Sequence, residues 1–181
     1  MMLRRYFLAL VVPALVLVAQ AEPVPLVNSL PSYIAPRFKN SLTRWLTQHP
    51  GYRVANDADC SCADDIAQVR AGSPPEWPTI PDYHPYYMVG DFRGDGADDV
   101  AIGVIYQQQP TKFRVLIIHG VPRTGAAAKT FLSEELDLRQ GLFYGPPRPK
   151  PWRLVVGPFE SEGVTFEPTG NGYRFSEDDD D

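Results

Sequence analysis

The amino-acid sequence predicts an α+β domain, with N-terminal amphipathic helices packed on one face of an antiparallel sheet of about four to six strands. Apolar residues at helical spacing open the structured part of the chain, and short β-branched and aromatic runs separated by turn-forming clusters fill the rest. No internal repeat recurs at a period of roughly 20 to 50 residues, so the chain cannot close a propeller or a solenoid by itself.

The first segment belongs to export rather than to the fold. Arg4 and Arg5, an uncharged apolar run over 7–18, and then Ala19-Gln20-Ala21 form the three-part layout of a signal peptide cleaved after Ala21. The run is shorter than the roughly 20 residues a membrane-spanning helix needs, and Pro13 interrupts it. The expected organisation is a signal peptide at 1–21, one globular domain at 22–175 and an acidic disordered tail at 176–181. The expected location is periplasmic or secreted, with no membrane insertion after cleavage. The formal charge of −5 moves to −7 once Arg4 and Arg5 leave, because the removed segment carries no acid. That sign excludes nucleic acid and anionic membrane as partners of a basic surface.

Residues 22–36 hold four prolines among apolar residues and read as an extended arm. Ile34, Phe38, Leu42, Trp45 and Leu46 then recur three and four apart, which predicts a helix from Ser32 or Pro36 to about His49, stopped by Pro50-Gly51. A second helix is predicted over 63–70, with Asp64 and Asp65 in its first turn, Arg70 in its last and Gly72 after it. The proline-rich stretch 73–85 reads as an ordered loop pinned by Trp77 and Tyr83.

Strands are predicted over 86–89, 100–106, 113–118, 154–159, 164–166 and 173–175, the last two joined by the hairpin turn Thr169-Gly170-Asn171-Gly172. Residues 126–138, with Ser133-Glu134-Glu135, are expected to form one helix or turn, and 145–152 a polyproline-like connector. Cys60-Ser61-Cys62 reads as a local staple or two buried thiols, with a labile redox pair as the alternative, and zinc would need a second ligand pair.

The one chemically pointed segment is Gly90-Asp91-Phe92-Arg93-Gly94-Asp95-Gly96-Ala97-Asp98-Asp99. It places Asp91, Asp95 and Asp99 at every fourth position of a glycine-bent loop between two strands, with Asp98 pointing the other way. Here the chain resembles the calcium loop of FG-GAP and VCBS-type repeats, whose usual form is Gly-Asp-Phe-Asn-Gly-Asp-Gly followed by an acid. The chain as a whole is similar to bacterial exported proteins that carry a single such motif. The resemblance implies Asp91, Asp95 and Asp99 as ligands of Ca²⁺. Arg93 stands where the family has Asn or Asp and repels a cation, so the affinity implied is weak, in roughly the 10⁻⁴ to 10⁻³ M range. Asp and Gly also build such turns without metal, with Arg93 neutralising the acids.

No nucleophile or zinc motif surrounds His49, His84 or His119, though a pairing of His84 with Asp91 through space is open. Glu134 and Glu135 are adjacent and face apart, which excludes a paired-carboxylate mechanism. The expected function is a non-catalytic exported module. It would bind an envelope or extracellular protein, or act structurally in the envelope, with an aromatic patch around Trp77, Tyr83, Tyr86 and Tyr87 as its surface. The alternative is a small periplasmic hydrolase with an unrecognised site, which would bury His84 or His119 in a cleft against an Asp.

Overall fold

The computed structural model describes residues 30–72, 79–120, 128–144, 153–159, 163–170 and 172–177. The expected signal peptide at 1–21, most of the expected arm, Trp77, the expected connector at 145–152 and residues 178–181 lie outside them.

Helix α1 (Pro36–Gln48) starts with proline in its first turn, where the missing N–H is no loss, and ends at His49. The His49 amide donates to the carbonyls of Trp45 and Leu46. A 3-10 turn (Asp57–Asp59) and helix α2 (Ala63–Ala71) follow strand β1 (Tyr52–Val54). Then come β2 (Tyr87–Gly90), β3 (Asp99–Tyr106), β4 (Lys112–Ile118), β5 (Thr130–Leu132), β6 (Leu136–Asp137) and β7 (Gln140–Tyr144). The last three are β8 (Leu154–Pro158), β9 (Val164–Thr169) and β10 (Gly172–Glu177).

The strands form two antiparallel sheets. In the first, β3 and β4 are central, β1 and β2 pair with successive parts of β3, and β5 and β6 pair with successive parts of β4. The second has the order β10-β9-β8-β7. The pleat sends alternate residues of β3 and β4 to opposite sides. Val100, Ile102, Val104, Leu116 and Ile118 meet Ile34, Phe38, Leu42, Trp45 and Leu46 of the α1 region. Ala101, Ile105, Phe113, Val115 and Ile117 instead meet Leu142, Leu154, Val156, Phe166 and Tyr173 of the second sheet. Burying each large side chain contributes roughly 1.5 to 3 kcal/mol, so both faces of the first sheet contribute to stability.

The predicted α+β class is therefore corrected: the fold is mostly β, two antiparallel sheets of six and four strands with two short helices. The physical reason is visible in β3, which is buried along nearly its whole length instead of on alternate residues. A strand apolar on both sides needs two layers over it, and α1 covers only one. The C-terminal strands supply the other by forming a separate sheet. Residues 126–138 are corrected too: where described, they carry β5 and β6 and no helix. Ser133 lies between these strands, its amide donating to the Val115 carbonyl (3.0 Å) and its hydroxyl oxygen accepting from the Val115 N–H (2.8 Å). The edge of β4 thereby stays satisfied across the break between its two partners.

Gly103 marks the corresponding break on the other side of β3. Its amide donates to the Tyr86 carbonyl and its carbonyl accepts from the Ala55 N–H. A Cβ there would come within 2.7 Å of the Tyr86 Cβ, so the fully buried Tyr86 requires glycine beneath it.

Candidate functional site

The acidic loop joins β2 to β3. Gly94 and Gly96 adopt φ of 71° and 84°, which curls the chain back on itself, and Phe92 anchors it in the core. Asp91 accepts the amides of Asp95 (3.0 Å) and Gly96 (2.8 Å), one on each carboxylate oxygen. Asp95 accepts the Ala97 amide and pairs with the Arg93 guanidinium at 2.8 Å. Asp98 turns outward and pairs with Arg37 at 2.6 Å.

Asp99 begins β3 and is fully buried. Arg93 donates to both of its oxygens, from Nε and Nη2, at 3.2 Å each. The Gly120 amide donates to Oδ1 at 2.8 Å, and His119 Nδ1 lies 3.4 Å from the same oxygen, an electrostatic contact and not a formed hydrogen bond. Burial pushes the Asp99 carboxyl up, but the His119 imidazole, the Gly120 amide and the Arg93 guanidinium outweigh it and hold the group below its ordinary value. The His119 ring stacks on Tyr173 of β10, centroids 5.8 Å apart, so the loop is joined to the second sheet through one imidazole. A shallow cleft of about 210 Å³ beside the loop is lined by Arg37, Phe38, Ala97, Asp98 and Gly120. It is smaller than the roughly 300 to 1,000 Å³ of most small-molecule sites.

The fold thus brings Asp91, Asp95 and Asp99 into one loop, but their oxygens are directed at N–H groups. Ca²⁺ takes six to eight oxygens. Here Asp91 is engaged by two amides, and a guanidinium spans Asp95 and Asp99. Among the described residues no group of three or more His, Cys, Asp or Glu side chains has a metal-holding arrangement. As folded, this donor set does not fit calcium.

A second polar cluster, invisible in the sequence, surrounds His84. Its Nδ1 meets both oxygens of Asp57 (2.9 and 3.0 Å), not Asp91. Arg70 from α2 donates to Asp57 at 2.8 Å and to the Tyr83 carbonyl. The Tyr33 ring stacks on the imidazole, centroids 3.7 Å apart. Burial, and then the charges of Asp57 and Asp59, push the Tyr33 hydroxyl far above its ordinary pKa, so it stays protonated. Asp59 closes the turn by accepting the Asn56 amide, and Arg53 grips its two oxygens at 2.7 and 2.8 Å. Asp57 and His84 are 27 residues apart, and no motif links them.

Cys60 and Cys62 form a disulfide beside this cluster, both buried in the core between the sheets, with Ser61 at φ 52° between them. Of the expected aromatic patch, Trp77 lies outside the described residues and the other three form no exposed surface. Tyr83 and Tyr86 are buried in the core, and Tyr87 is half-buried, its hydroxyl accepting the Ala35 amide. No family model, curated protein or solved structure matches the chain, so function is argued from these residues alone.

Proposed function

We propose that this chain is an exported, non-catalytic module that binds a protein partner in the envelope or outside the cell. The observation that carries the reading is the closure of its polar clusters. Each carboxylate placed near an imidazole, Asp57 and Asp99, is also paired with an arginine, Arg70 and Arg93, so that both charges are taken up inside the fold. Export is supported by the Arg4 to Ala21 layout, and an oxidising compartment by the Cys60–Cys62 disulfide. Among the described residues no helix is long and apolar enough to cross a membrane.

The contact surface we assign is β10. It is an edge of the four-stranded sheet, and Phe175 is the large apolar side chain left exposed among the described residues. An edge strand offers unpaired backbone groups to an added strand, and Phe175 gives that contact an apolar anchor. The test compares pull-downs from envelope extract with wild type and Phe175→Glu at matched thermal stability. A partner held by the wild type and lost from the variant supports the reading. No specific partner, or equal capture by both, removes it.

Two observations favour the hydrolase alternative: His119 is buried against Asp99, and Asp57 holds Nδ1 of His84 as an orienting carboxylate holds a catalytic base. Among the described residues the Nδ1 of the His84 ring is given to Asp57, with the Arg70 guanidinium 3.5 Å away, and not to a serine or cysteine. Turnover of chromogenic esters that disappears in His84→Ala would establish this alternative.

A further inference from the structure

We infer that Arg93 is the resident cation of the acidic loop, holding by its guanidinium the place that Ca²⁺ holds in the loops this segment resembles, so that the module folds independently of calcium. The contacts of the loop carry this directly. One guanidinium reaches Asp95 at 2.8 Å and both oxygens of Asp99 at 3.2 Å. Asp99 is fully buried and ionised, so a positive charge must accompany it, and Arg93 is the permanently charged group that touches it. The planar fork of arginine suits two-oxygen contact with a carboxylate, which a spherical ion achieves only with more ligands around it.

The cluster organises more than its own loop. Asp99 also fixes the Gly120 amide at the end of β4, and His119, beside it, stacks on Tyr173 of the other sheet. His119 Nδ1 lies 3.4 Å from Asp99 Oδ1 and helps to hold the carboxyl ionised, while Arg93 reaches both of its oxygens. The side chain of Arg93 is 30% exposed, which leaves its outer face in water while its inner face serves the carboxylates. Calcium would have to displace a tethered cation already at its site. This inference concerns the loop alone and stands whether or not β10 binds a partner.

The test is thermal melting of the full mature protein in EDTA and in millimolar CaCl₂, for wild type, Arg93→Gln and Arg93→Lys. The wild type is expected to melt at the same temperature in both solutions. Arg93→Gln removes the charge and should melt lower in EDTA by on the order of 5 °C. Arg93→Lys keeps the charge but not the fork, and should recover about half of that loss. A wild-type melting temperature that rises with Ca²⁺ overturns the inference. So does Arg93→Gln melting with the wild type in EDTA, or Arg93→Lys falling as far as Arg93→Gln.

Discussion

Asp99→Asn tests the energetic weight of the loop. The side chain is fully buried and receives three donor contacts, two from Arg93 and one from the Gly120 amide. Asparagine keeps the shape and one acceptor oxygen, but it removes the charge and turns an amide donor toward a guanidinium donor. Breaking a buried ion pair by altering one partner typically costs about 3 to 5 kcal/mol. Arg93 is part-exposed and retains Asp95 at 2.8 Å, so the loss should fall at the lower end, about 3 kcal/mol, or roughly 6 to 12 °C in melting temperature for a domain of this size. The pH dependence has a definite sign. The folded carboxyl lies below its unfolded value of about 3.9, so its contribution is fully present above that pH and is lost as pH falls toward the folded value. The gap between wild type and variant should narrow below about pH 4, the other carboxylates being common to both. Denaturant titration across pH measures it. A gap under about 1 kcal/mol at neutral pH, or one unchanged by acid, would refute the account.

Two further predictions concern residues outside the loop. Ser133→Ala leaves the buried Val115 amide without its acceptor and should destabilise by about 1 to 3 kcal/mol, read by thermal melting, whereas a neutral result would mean the strand break closes differently. Replacing Cys60 and Cys62 together by Ser should keep the circular dichroism of the fold and lower stability by roughly 2 kcal/mol, since the closed loop is so short. A loss much above about 3 kcal/mol would show that the buried sulfurs also carry core packing.

The helices and most strands were legible because their signals are local. Phe38, Leu42 and Trp45 repeat at helical spacing and form the buried face of α1. The two-sheet architecture was harder to read. Its sign was the continuous apolar run of β3, which calls for cover on both sides but does not say what provides it. β5 and β6 have three and two residues, too few for a pattern of their own, and they exist because β4 would otherwise leave a free edge. Asp91, Asp95 and Asp99 were legible as a loop motif, whereas the surroundings of Asp99 depend on strand register. Pairing of Val100 with Ile118 places His119 next across the ladder from Asp99, and the length of the β3–β4 turn did not settle that register.

The arginine pairs of this acidic chain differ widely in what they contribute, and exposure decides which matter. Arg37–Asp98 is short at 2.6 Å, but its side chains are 57% and 51% exposed, so water already serves both charges and the pair contributes about 0 to 1 kcal/mol. Arg93–Asp99 is longer at 3.2 Å, yet Asp99 has no exposure, and without its partner it would be an uncompensated buried charge. Burial outweighs distance in this comparison. Arg70–Asp57 lies between these limits, with side chains 37% and 33% exposed, and it also holds the Tyr83 carbonyl. The same arginine that could assist chemistry at His84 is therefore committed to fixing the chain around it. That commitment is why the Asp57–His84 contact supports a structural role better than a catalytic one.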